Sequence, residues 1–372
     1  MVKRLKKKSC WVIKIGSALL TANGEGLDHQ AINDWAVQIS QLKAHHIQAV
    51  IVSSGSVAEG MLRMGWSERP KELHQLQAAA AIGQMGLVQV WESAFACHQR
   101  HTAQVLLTHD DLSNRKRYLN ARSTLTSLVN LDVIPVINEN DTVANDELRF
   151  GDNDTMAALV ANLLCADKLI LMTDQAGLFD SDPRSNASAK LIEKALVNDS
   201  ALNAMALDSK GRFGSGGMAT KLRAARLAAR SGTTTHILHG KTPDLFQTLI
   251  NRQPLGTVLI PDQAPDLARK QWLAGQMQFK GQLILDQGAV TALSEQGKSL
   301  LAIGVTAVKG QFQRGDLVVC MDQNQQEIAR GLINYGIEDC QKIIGQPSSK
   351  IADLLGYINE QSLIHRDNLI LI

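Results

Sequence analysis

The sequence predicts an α/β fold, a three-layer αβα sandwich with a mostly parallel sheet, followed by a small C-terminal β-rich domain. Through the first two thirds of the chain, short apolar segments alternate with longer segments of helical composition. Aromatic residues make up only 4% of the chain, while alanine, leucine, valine and isoleucine are plentiful, which suits helices packed on a parallel sheet. After about Gly275 the pattern changes to short strands separated by glycine turns.

The alternating segments form a βαβ series. The predicted strands are residues 11–15, 49–53, 104–107, 133–137, 169–173 and 236–239. The predicted helices are residues 30–45, 72–100, 118–131, 155–164 and 218–231. The series ends near Pro261-Asp-Gln-Ala-Pro265, where two prolines interrupt the chain.

The composition excludes several classes of protein. A net charge of +2 provides no overall basic field for nucleic acid, and no apolar stretch approaches the roughly 18 residues that would span a bilayer. The five cysteines are scattered, odd in number and free of C-x-x-C spacing, which argues against a disulfide framework or a zinc site. We therefore expect a cytoplasmic protein with no protein-bound metal site.

Lys14 is a charged residue in the otherwise apolar strand 11–15, just before Gly16 and Ser17. A buried ammonium is costly unless an anion meets it, so the pattern suits a phosphate. A strand-edge lysine that points into water is the alternative for this segment alone.

Polar residues also follow the other predicted strands. In an open α/β sheet, ligands bind beyond the carboxyl ends of the strands, so these residues are candidates for one site. They are Ser53-Ser54-Gly55-Ser56, Asn138-Glu-Asn-Asp141 and Thr173-Asp174. The serine turn could equally be an ordinary helix cap.

A second candidate phosphate element is the glycine-rich segment 211–221, which leads into a basic helix containing Lys221. It lacks the Gly-Lys-Ser/Thr ending of a Walker A loop, and no strand directly precedes it. A flexible linker is the alternative interpretation. Asp152 and Asp154 place two carboxylates at another helix start, where one could cap the helix and the other could orient lysines or engage nucleotide-borne magnesium.

Taken together, these segments resemble the amino acid kinase family, and within it the branch that phosphorylates glutamate. In order and spacing the likeness covers nearly all of residues 9–260. It rests on the motifs V-I-K-I-G-S, Val52-Ser-Ser-Gly-Ser-Val57, Ile137-Asn-Glu-Asn-Asp141, Phe150-Gly-Asp-Asn-Asp154, Thr173-Asp174, Gly177-Leu-Phe-Asp-Ser-Asp-Pro183 and Gly214-Ser-Gly-Gly-Met-Ala-Thr-Lys221.

The resemblance implies ATP-dependent phosphorylation of the side-chain carboxylate of L-glutamate, the first step of proline synthesis, with Mg²⁺ carried by the nucleotide. It implies catalytic roles for Lys14, Lys221 and Asp154. Glutamate would be bound by Ser54, Gly55, Asp141 and Asn153. ATP would be bound by Lys14, Thr173, Asp174, Ser215, Gly216, Gly217, Met218, Ala219, Thr220 and Lys221.

Residues 276–358 resemble a PUA domain through Gly297-Lys-Ser-Leu-Leu-Ala-Ile-Gly-Val305, Phe312-Gln-Arg-Gly-Asp-Leu-Val-Val319, Ala329-Arg-Gly-Leu-Ile-Asn-Tyr335 and Lys342-Ile-Ile-Gly345. We therefore expect a kinase domain at 9–261, a linker at 262–275, the PUA domain at 276–358 and a tail at 359–372. PUA domains commonly bind RNA, but this segment shows little basic clustering or aromatic surface, so RNA is not an expected partner.

The resemblance further implies inhibition by proline, a homo-oligomer (dimer or tetramer) and contact with glutamyl phosphate reductase. Kinases of carbamate, aspartate, N-acetylglutamate or a uridine nucleotide are the nearest alternatives. An RNA-binding regulator without kinase activity is an alternative from another class.

Overall fold

A computed structural model describes residues 8–21, 26–143, 153–207, 217–262 and 279–372. The chain divides into two compact units. The first comprises Met1–Asp111 and Arg122–Ala268, and the second comprises Leu112–Ala121 and Arg269–Ile372. Each is described below by itself.

The first unit is built on a mixed, mostly parallel sheet of eight strands within the described residues. They are β1 (Ser9–Ile15), β2 (Ile47–Ser53), β3 (Thr102–Leu107), β4 (Ile134–Glu139), β5 (Lys168–Thr173), β6 (Lys194–Leu196), β7 (Thr234–His239) and β8 (Thr257–Ile260). Their order across the sheet is β3-β4-β2-β1-β5-β7-β8-β6. The neighbouring strands are parallel except for β7 and β8, which run antiparallel.

Helices connect these strands. They are α1 (Ser17–Leu20), α2 (His29–Gln41), α3 (Ser56–Arg63), α4 (Leu73–Ala96), α5 (His109–Ser113), α6 (Arg115–Asn130), α7 (Asn153–Leu164), α8 (Ala201–Leu207), α9 (Met218–Ala229) and α10 (Leu245–Ile250). The end of α5 and the first part of α6 belong to the second unit. Among the described residues, no helix combines the length and the apolar character needed to cross a membrane.

The central strand β1 is buried on both of its faces. Val12, Ile13 and Ile15 are completely buried, as expected for a parallel strand that is covered by helices on both faces. On α4, the rings of Trp91 and Phe95 stack with their centroids 5.8 Å apart and belong to the same core as Ile13 and Ile15. Burial on both faces therefore fixes the position of β1 in the middle of the sheet.

The predicted fold class is confirmed. All six predicted strands are present, as β1 to β5 and β7, and the five predicted helices correspond to α2, α4, α6, α7 and α9. The sequence did not indicate β6, β8 or α3. Strand β4 is also longer than expected, because Asn138 and Glu139 pair with Leu106 and Leu107 of β3 and are buried strand residues.

The second unit contains a five-stranded sheet among its described residues. The strands are β9 (Gly281–Leu285), β10 (Val305–Gly310), β11 (Leu317–Met321), β12 (Glu327–Leu332) and β13 (Leu369–Leu371), in the order β10-β9-β11-β12-β13. The α-helices described in this unit are α11 (Gln287–Ser294), α12 (Ile337–Ile343) and α13 (Ile351–Leu355). Phe312 and Tyr335 are among its fully buried side chains.

The end of the chain belongs to this second sheet. Strand β13 pairs antiparallel with β12, and Leu363, Ile364 and Ile370 are buried. Residues 359–372 are thus an integral part of the C-terminal unit. The predicted linker 262–275 lies almost wholly outside the described residues, and the domain boundaries remain a prediction.

Candidate active site

The site lies where the carboxyl ends of β1, β2 and β5 meet. Strand β1 is flanked by β2 on one side and β5 on the other, and Lys14 is in register with Val52 and Leu171. The strands on either side of β1 are β2 and β5, which come from different parts of the sequence. In α/β sheets, a ligand crevice opens at such a position. Side chains that follow these three strands are consequently neighbours.

A buried cluster of three charges is the central feature of the site. Lys14 Nζ lies 2.5 Å from Asp154 Oδ1, and Lys221 Nζ lies 3.1 Å from Asp154 Oδ2. The exposed fractions are 7% for Lys14, 1% for Asp154 and 5% for Lys221. The structure therefore brings together two lysines that are far apart in the sequence, on the two oxygens of one carboxylate.

Each member of the cluster is positioned by its own element. Lys14 is the second-last residue of β1, Asp154 lies in the first turn of α7, and Lys221 lies in the first turn of α9. The partial positive charge at a helix N-terminus favours the carboxylate of Asp154. The N-terminus of α9 likewise favours an anion beside Lys221. Its N-cap residue is Gly217, so no side chain caps the backbone N–H groups of the first turn.

The electrostatics of the cluster favour an additional anion. Burial acts to raise the pKa of the Asp154 carboxyl, but Lys14 and Lys221 outweigh it and hold this pKa well below its usual range. Asp154 is therefore ionised, and two ammonium groups face one carboxylate. These three side chains together carry one net positive charge in a water-poor environment, where a negative group such as a phosphoryl oxygen would be strongly stabilised.

Asn153, beside Asp154 at the start of α7, ties the end of β2 to β4. Its Nδ2 lies 3.0 Å from Ser53 O, 2.9 Å from Ser54 Oγ and 3.0 Å from Asn138 Oδ1. Ser54 and Asn153, both predicted to bind the acceptor, are thus in direct contact. These hydrogen bonds hold the Asn153 side chain against the ends of β2 and β4.

Asp141 and Gly55 complete the predicted acceptor site. The Ser56 hydroxyl donates to Asp141 Oδ2 at 3.3 Å, which connects the β4 end to the start of α3. Gly55 is the N-cap residue of α3 and has a φ of 102°, a left-handed conformation that only glycine adopts without strain. The backbone can therefore turn sharply there.

Two buried residues of this site were not assigned roles from the sequence. Asn138 Nδ2 donates to Gln84 Oε1 at 2.8 Å, and also lies 3.3 Å from Ser56 Oγ. Asn138 was part of a recognised motif, and its position at the end of β4 was the available signal. Gln84 had none, because it lies in the middle of the alanine-rich helix α4.

The predicted nucleotide-binding residues lie on α9 and after β5. Thr173 is 9% exposed, and its hydroxyl donates to Asp174 Oδ1 at 3.0 Å. Thr220 Oγ1 lies 3.1 Å from Asp154 Oδ2, so this residue contacts the charged cluster directly. Gly217, Met218 and Ala219 form the start of α9. Ser215 and Gly216 lie outside the described residues.

Comparison with known proteins identifies two families in this chain. The amino acid kinase family matches residues 9–239, and the PUA domain matches residues 281–355. The glutamate 5-kinase of Chromohalobacter salexigens is 60% identical over 361 residues, which are 97% of this chain and 95% of that protein.

Two further relatives are similar over the same extent. The glutamate 5-kinase of Pseudomonas paraeruginosa is 59% identical over 97% of both chains. That of Hahella chejuensis is 58% identical over 99% of this chain and 96% of its own. This chain is therefore a kinase that belongs to the amino acid kinase family, in its glutamate 5-kinase branch, and it has a C-terminal PUA domain.

Proposed function

We propose that this enzyme transfers the γ-phosphoryl group of ATP to the side-chain carboxylate of L-glutamate, giving L-glutamyl 5-phosphate and ADP in the first step of proline synthesis. The observation that supports it most strongly is the buried cluster of Lys14, Asp154 and Lys221, with its surplus positive charge. The names of the relatives support glutamate as the acceptor.

The chemistry suits a site built on ammonium groups rather than on a base. A glutamate side chain has an ordinary pKa of about 4.3, so it is already ionised at neutral pH and needs no proton removed before it attacks. Charge spreads over the phosphoryl oxygens in the transition state, and fixed cations stabilise it there. Lys14 and Lys221 supply that charge, and Asp154 positions both.

The acceptor is held at the ends of β2 and β4. Asp141 binds the α-ammonium group of glutamate, while Ser54 and Asn153 bind polar groups of the same molecule. The amide of Gly55 faces the phosphoryl group. Since N-acetylglutamate has no α-ammonium group, this arrangement selects against it.

The nucleotide lies between the end of β5 and the start of α9. Thr173, Asp174 and the segment from Ser215 to Lys221 bind ATP, with the N-terminus of α9 directed at its phosphates. Magnesium carried by the nucleotide would supply further positive charge at its phosphates. Both oxygens of Asp154 are already paired with lysines, and the described residues contain no cluster of three metal-binding side chains. This donor set fits an ion coordinated mainly by phosphate and water.

Regulation and assembly form the finer part of the proposal. Proline shares the α-carboxylate and amine of glutamate, so it inhibits by binding at or near the acceptor site. The enzyme works in the cytoplasm as a homo-oligomer, a dimer or tetramer, and passes its unstable acyl phosphate to glutamyl phosphate reductase. If initial rates measured at several glutamate concentrations do not fall as proline is added, the inhibition is excluded.

Trapping of the product tests the reaction itself. Hydroxylamine converts an acyl phosphate into a hydroxamate, so purified enzyme with ATP, magnesium and glutamate should form glutamyl hydroxamate. Omission of glutamate, or its replacement by carbamate, aspartate, N-acetylglutamate or a uridine nucleotide, should reduce ADP release to background. Equal turnover with one of these acceptors would show that the acceptor is wrong, while leaving the kinase assignment intact.

A further inference from the structure

The second unit contains an open cavity of about 570 Å³, lined by polar side chains, that the proposed kinase reaction does not use. Its volume is in the range of small-molecule sites. The cavity is lined by residues of the Leu112–Ala121 segment and of the C-terminal sheet, all of which belong to this one unit. The lining residues are Ser113, Asn114, Lys116, Lys280, Gln313, Arg314 and Asp316. The cavity thus has three cationic side chains and one carboxylate.

The carboxylate of Asp316 already has partners within the protein. Asp316 Oδ1 pairs with Lys280 Nζ at 3.1 Å, and its Oδ2 accepts a hydrogen bond from the backbone N–H of Gln313 at 2.9 Å. Among the residues that the structure describes, no carboxylate forms an ion pair with Lys116 or Arg314. Two cations on the wall of the cavity are therefore left without a contacting counter-ion.

Arg314 is partly buried on the wall of the cavity. Its Nε is screened from solvent and has no hydrogen-bond partner in the described part of the chain, so an anion in the cavity would meet the terminal nitrogens of the guanidinium. Burial lowers the pKa of its guanidinium, although Glu360 lies near enough to oppose that effect. A guanidinium of this kind offers donors in a planar fork, a geometry that matches the oxygens of phosphate.

The start of α6 adds a further positive contribution. Its first turn contains no acidic residue and includes Lys116. Cations in a first turn oppose the helix dipole and are unfavourable unless an anion is present. Asn114 Oδ1 accepts from the backbone N–H groups of Lys116 and Arg117, at 3.1 and 3.2 Å, so the helix end acts on the cavity by its charge rather than by free amides.

We propose that this cavity is a binding site for a small phosphate-bearing anion, held by Lys116 and Arg314 with Lys280 at its edge. The lining residues contain no aromatic side chain, whereas single-stranded RNA is usually held by base stacking as well as by charge. A compact anion therefore satisfies the lining residues better than an RNA strand does. This site is separate from the proposed kinase reaction and does not depend on it.

Hydrogen exchange measured by mass spectrometry tests the proposal on the full-length protein. The probe is inorganic phosphate, compared with chloride at the same ionic strength, and the signal is amide protection in peptides covering residues 112–118 and 311–317. Because the readout is local, phosphate bound at the kinase site does not interfere. We expect saturable protection of both peptides. Absence of protection in either would overturn the proposal.

Charge variants make the test specific. Lys116→Glu places an acid in the first turn of α6, which suits the helix dipole and leaves folding intact, but it should weaken phosphate protection at least about tenfold. Arg314→Gln should do the same. Lys298→Glu, at an exposed lysine that does not line the cavity, is the matched control and should leave the protection unchanged. Equal protection in wild type and Lys116→Glu would refute the site.

The source of the phosphate is decided by the same measurement. A mononucleotide should protect these peptides at least as well as inorganic phosphate does. If only a single-stranded RNA oligonucleotide protects them, and neither inorganic phosphate nor the mononucleotide does so, then the small-anion proposal is wrong.

Discussion

Asp154→Asn is the most informative single substitution, because it removes a negative charge that pairs with two buried ammonium groups. The side chain keeps its shape and loses only its charge. In the wild type, Lys14 and Lys221 lie 2.5 and 3.1 Å from its two oxygens. In the variant they face a neutral amide.

The expected cost can be worked out in two ways. At an effective dielectric constant of about 20, two unit charges about 4 Å apart interact by about 4 kcal/mol, which sets the scale of the repulsion left between the lysines. Removal of one partner from a buried ion pair typically costs about 3–5 kcal/mol of folding free energy. The two figures agree, and for a domain of this size they correspond to a melting temperature roughly 6–20 °C lower.

Calorimetry with and without ATP provides the assay. We expect ATP to raise the melting temperature of Asp154→Asn by more than that of wild type, since its phosphates restore the missing negative charge. The turnover number should also fall, because the lysines are no longer positioned. Asp28→Asn is a matched control. Its side chain still accepts the N-cap hydrogen bond from the backbone N–H of Ala31. It loses only the ion pair with the exposed Lys241, which changes the folding free energy by about 1 kcal/mol or less. Equal behaviour of the two variants would refute the reasoning.

Three further predictions concern the acceptor site and acid stability. The lowered pKa of Asp154 means that its stabilisation is present above the ordinary carboxyl pKa and is lost as pH falls towards the lowered value; in urea titrations, wild type should lose more unfolding free energy on acidification than Asp154→Asn. Gly55→Ala forces a left-handed alanine at a cost of about 1–2 kcal/mol, so urea unfolding should show that loss and the KM for glutamate should rise. Gln84→Leu removes the 2.8 Å hydrogen bond to Asn138, worth about 1 kcal/mol, and should raise the KM for glutamate several-fold while that for ATP stays constant.

Most of the fold could be predicted because the pattern of a parallel sheet is strong. The run from Trp11 to Ile15 is apolar enough to identify a doubly buried strand, and helical segments separate it from the strands that follow. The strand β6 was missed for a physical reason. Lys194–Leu196 is too short and too exposed to show an apolar period.

The charged cluster was predictable only in part. Lys14 and Lys221 each stood out as a cation beside a small-residue loop, and the topology of the sheet indicated that strand ends would meet. The hydrogen bond from Asn138 to Gln84 could not be predicted, because nothing in the sequence of the alanine-rich helix α4 shows that this glutamine is buried by packing. Its 8% exposure is a result of tertiary structure.

Single-turnover kinetics of Lys221→Ala test the central claim most directly. Rapid quenching with labelled ATP and saturating glutamate measures the phosphoryl-transfer step separately from binding. Loss of one charge that stabilises the transition state should cost about 3 kcal/mol, so this step should slow by roughly 150-fold even when ATP is saturating. An unchanged transfer rate, with only weaker ATP binding, would contradict a catalytic role for the two lysines.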